Sequence, residues 1–192
     1  MARLPRIPLP TYETMTAPQR AVHDKVVAGP RGRLRGPLLA ALHNPDLADR
    51  WSALGELLRY RTSLPPRHSE LAILVTARAC RAPFEWYAHR IEAEKAGLEA
   101  PIIEAILADS EPALHGTDRV VYRFAAELNR HRSVSDASYA AARQALGDVG
   151  VVELAALVGY YTMVAMTLNA HQIPLPEGVA PAFPLPQDDD LK

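Results

Sequence analysis

The stretch ELAILVTARACRAPFEWYAH, residues 70–89, joins an apolar segment to a second segment that carries acidic, aromatic and histidine side chains. Pro66 precedes the first segment and Pro83 opens the second. Proline is favoured in the first turn of a helix, where its missing N–H costs nothing. The stretch therefore predicts two helices, over about residues 66–81 and 83–96, that fold back on each other as a hairpin.

Three polar side chains of this hairpin are candidates for a shared site. Glu70 is expected in the first turn of the first helix, and Glu85 and His89 are four residues apart, hence neighbours on one face of the second. A histidine between two carboxylates is suited to proton transfer, because its pKa can be held near neutrality. From spacing alone, the more common arrangement is an exposed Glu85–His89 pair and a Glu70 carboxylate that only complements the helix dipole.

Caps and apolar periodicity predict further helices on both sides of the hairpin. The expected ranges are residues 16–27, 37–42, 44–61, 117–131, 135–146 and 151–170, with a short helix that begins at Pro101. No stretch alternates with a period of two between turn residues, so no sheet is expected. The predicted fold is all-α, a compact bundle of about seven or eight helices.

Prolines cluster near both ends of the sequence and are absent between Pro112 and Pro174. Because proline fixes φ and lacks a backbone donor, residues 1–15 and 174–192 are predicted to be extended arms. A chain of 192 residues has room for one domain with a sizeable core, and is short for two. We expect a single domain over the whole chain, with its core at about residues 31–178.

The composition excludes several classes of function. A net charge of −1 and 6% aromatic residues offer neither a basic patch nor a stacking surface for nucleic acid. The single cysteine, Cys80, excludes an internal disulfide and an all-cysteine zinc site.

The amino-terminal residues lack the apolar run of a signal peptide. The apolar stretch at residues 151–168 contains Glu153 and has no basic flanks, which favours a core helix over a membrane span. A cytoplasmic protein without membrane contact is expected.

The hairpin stretch resembles the signature of the carboxymuconolactone decarboxylase and alkylhydroperoxidase D-like superfamily. Redox members of that superfamily carry a glutamate, eleven residues, C-x-x-C, three residues and a histidine. Here the same frame reads Glu70, eleven residues, Ala82-Pro-Phe-Glu85, three residues and His89. Decarboxylase-type members carry E-x-x-x-H, which Glu85 and His89 reproduce. The likeness extends over about residues 31–178 and implies the all-α, alkylhydroperoxidase D-like fold.

The two substituted cysteine positions bear on the chemistry. Peroxide reduction through a disulfide needs an attacking thiolate and a resolving thiol, and Cys80 alone supplies only one sulfur. The resemblance therefore implies a carboxymuconolactone decarboxylase-like carboxy-lyase, or a related proton-transfer enzyme, that acts on a small carboxylated or lactone-like substrate without a cofactor. His89 is expected to be the acid or hydrogen-bond donor, oriented by Glu70 and Glu85.

Two other functions stay open at this point. One is an alkylhydroperoxidase or peroxiredoxin-like antioxidant protein, and the other is a family member that binds a small ligand without turnover. A metal site built on Glu70, Glu85 and His89 is disfavoured, because paired histidines and an H-E-x-x-H motif are missing. We therefore predict no metal.

Five further residues are candidates for substrate contact. Arg35 is the preferred partner of a substrate carboxylate, since guanidinium binds carboxylate bidentately, and Arg78 lies two turns beyond Glu70 on nearly the same face. For both arginines the alternative is a surface or ion-pair role. His43, Trp86 and Tyr87 are candidates for the wall of the site.

The resemblance also implies a homo-oligomer, a trimer or a hexamer. Trp51, Trp86 and the long apolar last helix are expected to offer surface for it. On that last helix Tyr160 and Tyr161 are expected to have structural roles, and Cys80 is expected to be a small buried apolar residue.

Overall fold

The computed structural model describes residues 4–184, which contain eight helices and no strand. The helices are α1 (Ala17–Ala28), α2 (Pro37–Ala41), α3 (Pro45–Tyr60), α4 (Pro66–Ala79), α5 (Pro83–Lys95), α6 (Ala100–Leu107), α7 (Gly116–His131) and α8 (Asp136–Ala170). The predicted all-α fold is confirmed. Residues 4–15 and 174–184 contain no helix, and residues 185–192 of the predicted carboxyl-terminal arm lie outside the described part of the chain.

Proline and glycine mark the helix ends as the sequence predicts. α4 and α5 begin at Pro66 and Pro83, and α3 begins at Pro45 after the Asn44 cap, whose side chain accepts a hydrogen bond from the Leu47 amide at 3.2 Å. After α5 the chain turns at Gly97, whose φ of 82° lies in the left-handed region that favours glycine. The predicted boundaries of these helices are therefore correct to within about two residues.

α8 contains the two helices that are predicted over residues 135–146 and 151–170. They run from Asp136 to Ala170 and are joined by a kink at Gly147, where φ is 72° and ψ is 176°. This conformation is nearly restricted to glycine, because a Cβ atom would collide with the adjoining peptide. The predicted break is therefore confirmed, but it is a kink at a single glycine rather than a loop.

The described chain divides into two compact units. The first extends to Arg61 and includes Thr167–Pro174, and in it α1 and α2 pack against α3. Its amino-terminal segment is anchored, since the Arg6 amide donates a hydrogen bond of 2.9 Å to the His171 carbonyl. The expectation of one domain over the whole chain stays a prediction.

The second unit comprises Thr62–Met166 and the described residues from Leu175 onward. In it α4 packs against α5, α6 and α7, and every residue from Ser69 to Ala77 is buried. A helix buried on all sides has to pair each of its polar side chains. Thr76 accordingly accepts a hydrogen bond of 3.0 Å from the Asn129 side chain on α7, and Glu70 requires a partner of its own.

α8 is long and apolar enough to cross a membrane by the criteria of length and composition, and half of its most apolar stretch is buried within the structure. Leu154, Leu157 and Tyr161 are among its buried residues. The assignment of this stretch to a core helix rather than a membrane span stays a prediction. The cytoplasmic location stays a prediction.

Two glycines of α8 test the role of its interruption. Gly147→Ala should lower the free energy of unfolding by about 1–3 kcal/mol, because alanine is strained at a positive φ. Gly159→Ala is the matched control, since a Cβ atom would meet no other atom within 4 Å at either position. Gly159 lies in regular helix, so alanine there should raise stability by up to about 1 kcal/mol. Urea unfolding measures both values, and a neutral Gly147→Ala would show that the interruption is dispensable.

Candidate active site

The α4–α5 hairpin turns sharply at its corner. Arg81 adopts a left-handed φ of 49°, and the Ala82 amide donates a hydrogen bond of 2.9 Å to the Ala77 carbonyl of the preceding helix. Pro83 then starts α5 at once. The second helix is thereby brought back alongside the first, which carries side chains of α5 toward the buried side of α4.

The hairpin brings Glu70, Glu85 and His89 together. Nδ1 of His89 lies 2.6 Å from Oε2 of Glu70 in a buried hydrogen bond, and Nε2 lies 3.0 Å from Oε1 of Glu85. The exposed fractions of Glu70, Glu85 and His89 are 7%, 4% and 5%. The alternative of an exposed surface pair is therefore excluded. We refer to these three residues as the Glu–His–Glu triad.

The two carboxylates occupy different positions on their helices. Glu70 is the fifth residue of α4, one turn beyond its start, so the expectation that it lies in the first turn is wrong. The alternative that Glu70 only complements the helix dipole is therefore also wrong, because that effect is confined to the first turn. Glu85 does lie in the first turn of α5, where the dipole of that helix favours a negative charge.

The surroundings of His89 shift the pKa of its imidazole strongly. Burial lowers the pKa of its imidazole, but the charges and hydrogen bonds of Glu70 and Glu85 outweigh burial and raise the pKa to about 9. This is higher than the near-neutral value expected from the sequence. At pH 7 the triad consequently holds a proton at its centre, on an imidazolium with a carboxylate at each nitrogen.

A tyrosine of α8 completes the surroundings of His89. The ring of Tyr161 meets the imidazole edge to face, with a centroid distance of 4.9 Å and an interplanar angle of 79°. Tyr160 packs on Tyr161 in the same manner at 5.2 Å. The sequence predicts only a structural role for Tyr161, because no spacing rule relates a residue of the last helix to one of α5.

Trp86 lies three positions before His89 on α5 and is buried. Its ring, 1% exposed, packs edge to face on Phe183 at 6.0 Å. Its indole N–H is buried and has no hydrogen-bond partner among the described residues. Such a donor is costly to leave unsatisfied, so it is suited to receive the oxygen of a bound ligand. Tyr87 is partly buried on the same helix, and its predicted contact with substrate is untested.

Arg78 has several partners within the protein. Its Nε donates a hydrogen bond of 2.8 Å to the Leu107 carbonyl, and Nη2 lies 3.8 Å from a carboxylate oxygen of Asp109. Its guanidinium also stacks over the Phe183 ring at 5.5 Å. Binding of a substrate carboxylate by Arg78 stays a prediction, and it would compete with these contacts.

Arg35 and His43, the other predicted substrate contacts, belong to the first unit. Arg35 lies partly buried in the loop that precedes α2. Nε2 of His43 donates a hydrogen bond of 2.8 Å to the Pro8 carbonyl, which holds the amino-terminal segment. The structure thus gives His43 a local partner, and the substrate-binding roles of both residues stay predictions.

Cys80 ends α4 and is only partly buried, so the expectation of a buried position is wrong. Burial nevertheless raises the pKa of its thiol, against the opposing effects of Arg132 and of the Thr162 hydroxyl. A thiol with a raised pKa is protonated at neutral pH and is a poor nucleophile.

Within residues 4–184, no group of three or more histidine, cysteine and acidic side chains is arranged to hold a metal ion.

The pH dependence of stability tests the charge of His89. Since its pKa rises from 6.5 to about 9 on folding, the stabilisation is complete below about pH 6.5 and is lost as the pH rises through about 9. Between about pH 6 and pH 10, the wild type should lose on the order of 3 kcal/mol more unfolding free energy than His89→Gln. Urea unfolding of both proteins provides the comparison, and equal losses would contradict a buried imidazolium.

Comparison with known proteins shows what this hairpin and the fold are similar to. Residues 45–127, from the start of α3 into α7, match the sequence profile of the carboxymuconolactone decarboxylase family. The fold is similar to that of a protein from Ralstonia eutropha JMP134, described as an alkylhydroperoxidase AhpD core and an uncharacterised peroxidase-related protein. The TM-score is 0.76 at 17% identity, over 92% of this chain and 95% of the other. No curated protein matches the sequence. The α3–α7 part of the chain is thus similar to the carboxymuconolactone decarboxylase family, and the fold is similar to that of the alkylhydroperoxidase AhpD core.

Proposed function

We propose that the chain is a cofactor-independent lyase, or a related proton-transfer enzyme, that acts on a small carboxylated or lactone-like molecule. The observation that carries this proposal is the buried Glu–His–Glu triad, which stores one proton between two carboxylates. Strongly shifted pKa values of buried groups cluster at sites where enzymes exchange protons with a substrate. The match of residues 45–127 to the carboxymuconolactone decarboxylase family supports a decarboxylase-type reaction without identifying the substrate.

The two carboxylates have different tasks in this proposal. Glu70 forms the shorter contact with His89, a hydrogen bond of 2.6 Å, and so fixes the orientation of the imidazole. Within the described residues, the ion pair with His89 is the polar contact of Glu85. Because both imidazole nitrogens face carboxylates, a substrate reaches the proton through a carboxylate oxygen. We assign that contact to Glu85, with His89 behind it as the proton source.

A decarboxylation uses these parts in the following order. The bond between the substrate carbon and its carboxylate breaks, carbon dioxide leaves, and the electron pair remains as an enolate. Glu85 takes the proton from Nε2 of His89 and passes it to the enolate carbon, and a proton from water later restores the imidazolium. The unsatisfied indole N–H of Trp86 is the candidate donor to the enolate oxygen, where charge develops. Isomerisation or proton abstraction beside a lactone carbonyl would use the same groups.

Peroxide reduction is the main alternative, since the structural relative is described as peroxidase-related. The two cysteine positions of the redox signature are occupied here by Ala82 and Glu85. Cys80 is the single thiol of the chain, and its pKa is raised by burial. A disulfide cycle within one chain needs two sulfurs, so these observations favour proton transfer.

Assembly into a trimer or hexamer is a further part of the proposal, and its expected surface needs correction. Trp51 and Trp86 are 5% and 1% exposed, so neither offers surface to another copy. On α8, by contrast, Val152, Met163 and Met166 are 67%, 38% and 59% exposed. These side chains recur at helical spacing without a charge among them, which favours α8 as the contact between copies.

A substrate screen with matched variants tests the proposed reaction. Lactones and β-keto acids are supplied to the enzyme, and released carbon dioxide is measured against substrate consumed. His89→Ala and Glu85→Gln should each lower kcat by about a hundredfold to ten-thousandfold, the usual contribution of general acid–base catalysis. Their combination should cost little more than either alone, because the groups act as one unit.

Glu94→Gln is the control for these variants. Glu94 lies on the same helix, is exposed and pairs with Arg90 at 3.1 Å, so its replacement should leave kcat unchanged. A His89→Ala protein that keeps its helical circular dichroism and its wild-type kcat would contradict the proposed site. Binding of a substrate without turnover in any protein of the series would instead indicate a ligand-binding protein.

A further inference from the structure

Three titratable side chains face His89 among the described residues, each from a different direction. Glu70 approaches Nδ1 from α4, and Glu85 approaches Nε2 from the same helix as His89. The phenol ring of Tyr161 approaches from α8. The catalytic scheme above uses the two carboxylates and gives no task to the tyrosine.

The imidazole of His89 moves by rotation about its Cα–Cβ and Cβ–Cγ bonds. Such rotation displaces the ring nitrogens and bends their hydrogen bonds to the carboxylate oxygens, and hydrogen bonds weaken steeply as they bend. A side chain packed against the ring limits this rotation. The Tyr161 ring, at 4.9 Å and nearly perpendicular to the imidazole, is such a contact.

The chemistry of the third contact also matters. An aromatic ring carries negative charge on its face, so it attracts a cation whose edge meets that face, and the attraction grows when water is excluded. The nearly perpendicular arrangement of the two rings allows the edge of the imidazolium to meet the face of Tyr161. Tyr161 is 3% exposed and His89 is 5% exposed. An aliphatic side chain of similar size would fix the plane by packing but would contribute nothing to the charge. An aromatic residue at this position therefore indicates an electrostatic contribution to the state of His89 in addition to packing.

Tyr161 has an aromatic neighbour on its own helix. The ring of Tyr160 meets it edge to face at 5.2 Å with an interplanar angle of 81°. Tyr160 is also buried, with 6% exposure. An adjacent tyrosine of the same helix and of similar burial makes a matched control for substitutions of Tyr161.

We propose that Tyr161 is a positioning residue of the triad, whose aromatic ring fixes the plane of the His89 imidazole and stabilises its protonated form between Glu70 and Glu85. The ring performs this task, and the hydroxyl is not required for it. The inference rests on the proposed function, because it gives Tyr161 a part in proton transfer that it would lack in a purely structural core.

The test is a titration of His89 by NMR in protein labelled with carbon-13 at the histidine Cε1, with the signal assigned by its loss in His89→Gln. Tyr161→Leu should lower the pKa of His89 by roughly half a unit to one and a half units, the size of a desolvated cation–aromatic contact. Tyr161→Phe keeps the ring, so its titration should overlay that of the wild type. Tyr160→Leu should leave the titration of His89 unchanged as well.

The possible outcomes separate positioning from packing. An unchanged or raised pKa of His89 in Tyr161→Leu would overturn the proposal, since loss of packing alone admits water and relieves the burial that depresses the pKa. An equal decrease in Tyr161→Phe would also overturn it, because the hydroxyl would then be responsible. If Tyr161→Leu fails to fold, Tyr161→Met preserves the volume and is held to the same decrease.

The titration requires no substrate, so it is independent of the screen for turnover. A lowered pKa in Tyr161→Leu with no detectable lyase activity would support the positioning role and contradict the proposed reaction. Where turnover is found, Tyr161→Leu should lower kcat more than it changes KM and move the pH–rate profile in the direction of the NMR titration. A parallel loss of stability with an unmoved pH profile would mark Tyr161 as an ordinary core residue.

Discussion

The hydrogen-bonded ion pairs of His89 with Glu70 and Glu85 are the constraint on which the second unit depends. Charged groups with this degree of burial are costly, and the cost is offset only when each charge has a partner at good geometry. The triad meets that condition because three ionisable groups share two contacts, of 2.6 and 3.0 Å. Removal of one member would leave an uncompensated charge in the core, so the triad links the stability of the hairpin to its chemistry.

The same constraint explains the local structure around the site. α4 is buried along most of its length, and Glu70 is tolerated there because α5 returns at Pro83 with a histidine in reach. Glu85 stands where the redox members of the superfamily have their second cysteine. A carboxylate at that position keeps an acidic group beside the imidazole and removes the sulfur. This substitution is the physical reason that we propose proton transfer where relatives with two cysteines can perform redox chemistry.

The sequence predicts the helices well because their ends are marked by local signals. Pro66, Pro83 and Gly97 act within one turn of their own positions, and their boundaries match the structure. The pairing of Glu85 with His89 is equally local. The contact between Glu70 and His89 spans nineteen residues; the predicted hairpin makes it possible, and the resemblance to a known family favours it over an exposed pair.

Other features could not be predicted from local patterns. The raised pKa of His89 depends on a carboxylate at each ring nitrogen, whose charges and hydrogen bonds outweigh the effect of burial, and spacing does not reveal this balance. The contact of Tyr161 joins elements distant in the chain, so it appears only in three dimensions. The sequence cannot distinguish a place for Trp86 in the site wall, in the core or at an interface, because the pattern does not show what packs against that face of the helix. The sequence predicts a loop between the two helices of α8, whereas the structure joins them by a kink at Gly147 alone.

The protonation state of His89 at neutral pH is the central claim, and nitrogen-15 NMR of histidine-labelled protein measures it most directly. The chain has seven histidines, and His89→Gln identifies the signal of interest. At about pH 7.5 we expect both ring nitrogens of His89 to show the similar, protonated-type shifts of an imidazolium, since its pKa is about 9. One protonated and one unprotonated nitrogen, the pattern of a neutral imidazole, would contradict the account.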